Sequence, residues 1–194
     1  MPRNILRLSL AVAALAAALP AVADEKPKPD NREILGTDQV TVYWCPCRKE
    51  NWTQTADTEK SCPYCEKDRL TCGKAVGDYK IVVKAVKGTV KNGSEAALDI
   101  EVYQIVVDKD AKPDEVRVTD VATAKAKLAH GTSKDGDFVA DDEGKVQDAT
   151  IGGEKKIATV KATLKKGEYV MALEIVRGDK EKTRIESEVT FRVE

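Results

Sequence analysis

Aromatic side chains make up only 5% of the 194 residues, histidine occurs once, at His130, and no cysteine follows Cys72. The first scarcity means that any core must be assembled chiefly from Val, Ile, Leu and Ala. The second leaves His130 without a histidine partner, and no Ser-His-Asp set, phosphate-cradling glycine loop or paired-carboxylate cleft emerges, so the chain is expected not to be an enzyme. Basic residues never gather into a block: 32 Lys and Arg are interspersed with 33 Asp and Glu. A nucleic acid or an anionic membrane surface therefore lacks its electrostatic driving force. No apolar run reaches the roughly 20 residues of a spanning helix, which argues against a membrane span.

What is present begins with the N-terminus. Arg3 and Arg7 precede an apolar run over 8–19 dominated by Ala and Leu, and Ala21-Val22-Ala23 is a small-x-small cleavage signature. This order predicts a signal peptide over residues 1–23 and a periplasmic or secreted mature protein beginning at Asp24. An organelle transit peptide would be amphipathic and rich in Arg and Ser, whereas the middle of this segment is uniformly apolar. No cysteine adjoins the cleavage site, so lipid attachment has no acceptor there. Without Arg3 and Arg7, 30 of the 32 basic residues remain against 33 acidic ones, a mildly acidic mature chain. Residues 24–39 hold Pro27, Pro29 and many charges with few apolar groups. They cannot offset the entropy of ordering and are expected to be a flexible linker.

All five cysteines fall within residues 40–75, and that composition break places the domain boundary at Val76. From there to Glu194, apolar and polar residues alternate in short runs at 79–86, 97–107, 116–118, 123–128, 145–147, 157–164, 169–176 and 188–193. Turn chemistry such as Asn92-Gly93 and Lys112-Pro113-Asp114 bounds them. Lys165-Lys166-Gly167 and Arg177-Gly178-Asp179 separate neighbouring runs by few residues, as antiparallel hairpins require. About seven short strands with almost no helical patterning predict a mainly β chain, in which residues 76–194 form an immunoglobulin-like antiparallel β-sandwich. The paired cysteines and core tryptophan of antibody domains are missing, so this resemblance is one of architecture. Such a fold hosts many functions and argues for none.

The chemistry lies in the cysteines. Cys45-Pro46-Cys47 and Cys62-Pro63-Tyr64-Cys65 are two short pairs separated by a loop, and Cys72 follows. Each pair can present two sulfurs on one tight turn, and the loop can bring the second turn opposite the first, which suits a tetrahedral ion. A one-residue gap strains chelation by both Cys45 and Cys47, so Cys72 is an alternative fourth ligand. Thiolates favour zinc or copper(I) over magnesium, calcium or manganese. The expectation is a small metal knuckle over residues 40–75, with the sandwich as its support or as a docking domain for a periplasmic protein partner.

Tyr43-Trp44-Cys45-Pro46 followed by Cys62-Pro63-Tyr64-Cys65 resembles the heavy-metal-binding domain found beside copper and silver efflux adaptors and metal-transporting ATPases, whose pattern is an aromatic, one residue, Cys-Pro, a loop, and Cys-Pro-x-Cys. Leu70 matches the hydrophobic residue after the second pair. The likeness spans about residues 43–72 and departs from the family at two places. Cys47-Arg48 stands where the family has Met-His, and Glu66-Lys67 where it has Gly-Met. The resemblance implies metal binding, with a thiolate in place of the missing histidine, and carries no implication of efflux.

Two other readings of the cysteines remain open. In an oxidising compartment four of them could pair as disulfides that join the two short pairs to each other, since bridges within either pair close only tiny loops. Cys62-Pro63-Tyr64-Cys65 also reproduces the active-site tetrapeptide of glutaredoxins. There the first cysteine starts a helix in a βαβ fold, and here Gly73 leaves room for about two helical turns at most. Elsewhere, His130 is expected in a surface turn at a strand end. Asp135, Asp137, Asp141, Asp142 and Glu143 read as a solvated hairpin loop without the spacing of a helical calcium loop. Asn51-Trp52-Thr53 and Asn92-Gly93-Ser94 fit a glycan acceptor pattern that matters only in a eukaryotic secretory route.

Overall fold

The computed structural model describes residues 30–45, 49–55, 74–87, 90–107, 112–134, 137–153, 155 and 157–194. Among them the period-two pattern is realised as twelve strands: β1 (Ile34–Cys45), β2 (Glu50–Thr55), β3 (Lys74–Ala85), β4 (Ser94–Val106), β5 (Asp114–Arg117), β6 (Val121–Lys134), β7 (Asp137–Asp142), β8 (Val146–Asp148), β9 (Thr150–Gly152), β10 (Ile157–Leu164), β11 (Gly167–Arg177) and β12 (Arg184–Val193). The expected signal segment lies outside the described residues, among which no helix is long and apolar enough to cross a membrane.

The strands make two antiparallel sheets. One has seven strands in the order β2-β1-β3-β4-β10-β9, with β5 also on β4. Along β4, β10 pairs with Ser94–Ile100 and β5 with Tyr103–Val106. The other has five strands in the order β12-β11-β6-β7, with β8 also on β6. Alternation sends one set of side chains from each sheet into a shared core. Ile81, Val83, Leu98, Ile100 and Val160 from the first meet Met171, Leu173, Ile175, Ile185 and Val189 from the second. This mainly β arrangement is compatible with a β-sandwich. The scarcity of aromatics is met as composition requires, with aliphatic side chains filling the centre and Tyr79, Tyr169 and Phe191 as the aromatic members of the core. Each fully buried Val, Leu or Ile contributes roughly 1.5–3 kcal/mol relative to exposure.

Two features seal the flanks. Ala149, between β8 on the five-stranded sheet and β9 on the seven-stranded one, donates its N–H to the Ala124 carbonyl at 2.8 Å, so the chain changes sheets there. On the opposite flank β12 would present unpaired amides. The Glu188 N–H donates to Asp38 Oδ2 at 3.2 Å, the Ser187 hydroxyl to the same oxygen at 2.7 Å, and the Glu186 N–H to Thr53 Oγ1 at 2.8 Å. Polar side chains of β1 and β2 thereby occupy an edge that could otherwise pair with another chain.

The structure departs from the sequence expectation in three ways. A linker through residue 39 and a boundary at Val76 were expected, but β1 starts at Ile34 and pairs along β3, and Val40 and Val42 belong to the main core. The polar residues around these valines, which gave the stretch its linker composition, lie on the other side of the strand or cap β12. Second, Lys165-Lys166-Gly167 is not a hairpin: β10 and β11 belong to different sheets, and the turn crosses between them. Arg177-Gly178-Asp179 does close a hairpin, β11–β12. Third, the acidic stretch contains β7, and β6 runs on to Lys134, so His130 lies within a strand. Most of β7 is exposed, so its sequence carries no hydrophobic alternation to announce it.

Candidate metal centre

Cys45 is the last residue of β1 and sits where that strand turns into β2. The pairing Tyr43↔Trp52, Trp44↔Asn51 and Cys45↔Glu50 makes a hairpin, closed by a 2.7 Å hydrogen bond from the Lys49 N–H to the Cys45 carbonyl. Lys49 takes the left-handed conformation, with φ of 57°, that ends such a turn. A register shift between β1 and β3 leaves Val76 as the extra residue, so β1 keeps its alternation. Val40 and Val42 point into the main core, while Tyr43 and Cys45 share the other face. There Cys45, 0% exposed, packs with Trp52 and Tyr43 in a second apolar cluster. The Tyr43 and Trp52 rings stack at 5.3 Å with planes 20° apart, an aromatic cross-strand pair.

The resemblance singled out Tyr43 and Cys45, and both lie in this cluster. Trp52 was missed, although its place opposite Tyr43 could have been read from a hairpin centred on residues 46–49. Cys47, Cys62, Cys65 and Cys72 lie outside the described residues. Among the described residues no group of three or more His, Cys, Asp or Glu is placed to hold a metal ion. The one cysteine in view is a buried thiol at a strand end. The strand that follows the cysteines enters beside it, because Lys74, two residues after Cys72, pairs with Trp44.

No family model, curated protein or solved structure matches the chain. Its chemistry must be read from its own residues.

A second concentration of charge lies on the face of β4 turned away from the core. Glu101, whose side chain is 0% exposed, receives hydrogen bonds from Arg32 at 2.5 Å, Lys84 at 3.0 Å and the Tyr103 hydroxyl at 2.6 Å, and it is paired with Arg117. Asp99 beside it accepts from Arg32 at 2.5 Å and from the Thr159 hydroxyl at 2.7 Å. Burial pushes the Glu101 carboxyl upward, but the hydrogen bonds from Tyr103, Arg117, Lys84 and Arg32 outweigh it and hold the carboxyl at about 2. Its lone pairs are committed to cations of the same chain. The cluster therefore acts as a fastener for the segment before β1.

His130 is held between Asp141 and the Lys166 carbonyl. Both ring nitrogens are engaged by these two acceptors.

Proposed function

We propose that the chain is an exported, non-enzymatic metal-binding protein in which Cys45, Cys62, Cys65 and either Cys47 or Cys72 hold one zinc or copper(I) ion. The observation that carries this reading is the buried Cys45 at a closed hairpin end, with the chain from the remaining cysteines re-entering the sheet opposite Trp44. A preformed position for one thiolate lowers the ordering cost of assembling the rest. The strain of chelating one ion through Cys45-Pro46-Cys47 favours Cys72 as the fourth ligand. Bound metal would be held by deprotonated sulfurs, so affinity would fall with acidification.

The support is an immunoglobulin-like sandwich in this reading. The order β3-β4-β10-β9 opposite β12-β11-β6 follows the A-B-E-D and G-F-C pattern of such domains, with the β1–β2 hairpin added beside the first strand. Tyr169, near the start of β11, accepts a 2.7 Å hydrogen bond from the Lys165 N–H and donates to the Lys165 carbonyl at 3.3 Å. This is the position and bonding of the tyrosine corner in that fold. The sandwich rigidly presents the hairpin that carries Cys45 and offers its outer faces to a periplasmic protein partner.

The test is elemental analysis of the mature protein isolated without added metal, beside a thiol count under denaturing conditions. One ion per chain and alkylatable thiols are expected. X-ray absorption should find four sulfurs at roughly 2.3 Å from zinc. Cys72→Ser should remove one of them, while Cys47→Ser leaves the shell intact. A metal-free protein whose cysteines, all but one, resist alkylation until reduced would replace the metal site with a disulfide staple.

A further inference from the structure

The only histidine of the chain lies where three elements meet. In β6, His130 is opposite Tyr169 of β11 on one side and Asp142 of β7 on the other. Its Nδ1 is 2.6 Å from Asp141 Oδ1, and its Nε2 is 3.1 Å from the Lys166 carbonyl oxygen in the turn that crosses between the sheets. The ring leans on Tyr169 at 5.0 Å, and Tyr169 in turn stacks on Phe191 at 5.4 Å. Gly167 has φ of 143°, and a Cβ there would overlap His130 Nε2, so the crossing turn comes as close to the ring as glycine allows.

The hydrogen-bond count decides what this arrangement does. A carboxylate and a carbonyl are acceptors only, so satisfying both requires two ring N–H groups, and only the imidazolium has two. A neutral ring has one, and its bare nitrogen would face the lone pairs of Asp141 or of Lys166. We propose that His130 is a proton-operated clasp: as imidazolium it ties β7 and the crossing turn to β6, and on losing its proton it releases one of them. His130 lines a cleft together with Leu128, Lys145, Thr163, Leu164 and Tyr169, so release of the clasp alters one wall of that cleft.

The charged groups around the ring favour the closed state. Asp141 and Asp142 lie beside it on β7, Lys165 in the turn and Tyr169 on β11, and Lys145 lines the same cleft. Glu168 of β11 is engaged with Ser133. The Lys166 carbonyl first and Asp141 second hold the ring above its ordinary 6.5, against burial and the Lys165 charge. A raised folded-state value means that the clasp is fully closed below about 6.5 and opens as pH rises through the folded-state value.

With one histidine per chain, the ring signal in a carbon–proton NMR titration of the full chain is unambiguous. The expected midpoint lies above 6.5, and the amides of Asp141 and Gly167 should move with that midpoint while those of Val189 and Phe191 stay still. Asp141→Asn alters a side chain that is 60% exposed, so the variant folds, and it should lower the midpoint. A midpoint at or below 6.5, amides that do not follow the ring, or a midpoint unchanged in Asp141→Asn would each overturn the clasp.

Discussion

Glu101 shows how one residue can depend wholly on its neighbours. A buried carboxylate costs several kcal/mol to desolvate, and here three cations and a hydroxyl offset that cost. Glu101→Gln keeps the shape, removes the charge and leaves Arg32, Lys84 and Arg117 crowded around a neutral amide. A loss of about 3–5 kcal/mol is expected, read from urea denaturation at pH 7. The native carboxyl, depressed to about 2 from 4.5, contributes stability that is complete above 4.5 and is lost as pH falls toward 2. The urea midpoint of the native protein should therefore drop across that window, and the variant should lack this component. An equal acid response in both proteins would show that the carboxylate is not the group being titrated.

At the level of elements, the hairpin β1–β2 has two duties. It carries Cys45 at its end, and along its length it guards β12. Asp38 is the hinge of the second duty, because one carboxylate oxygen receives both the Ser187 hydroxyl and the Glu188 amide. Asp38→Ala leaves both donors without their acceptor and should cost about 1–2 kcal/mol. Hydrogen exchange at the Glu188 amide should quicken, while the β11-facing side of β12 keeps its protection. Asp38→Asn retains an acceptor oxygen and should recover most of the loss. Unchanged exchange in the alanine variant would mean that water caps the edge as well as the side chain does.

For the whole molecule, the question is whether the strands after the cysteines suffice. Residues Asn31–Glu194 form one compact unit, and Val40 and Val42 are as deeply buried as the strands that follow. A chain of residues 74–194 loses these two side chains, the β1–β3 ladder and the caps on β12. From the valines alone it should be less stable than residues 31–194 by roughly 3–6 kcal/mol. Equal urea midpoints for the two would show that β1 is an accessory strand. By itself the sequence determined the β class, the aliphatic core and the run at 157–164 that became β10. It also concentrated the cysteines, of which the described structure includes Cys45. Those follow from composition and from period two, which are local properties of the chain. Only the tertiary structure decided that β1 belongs to the core, that the turn at 165–167 crosses between sheets, and that His130 and Glu101 are held by partners far along the chain. Period two reports that one face is buried but not which strand buries it. A short turn reads the same whether it folds back within a sheet or passes to the opposite one, and a charged residue has no sequence signal for burial when its cover is other charges.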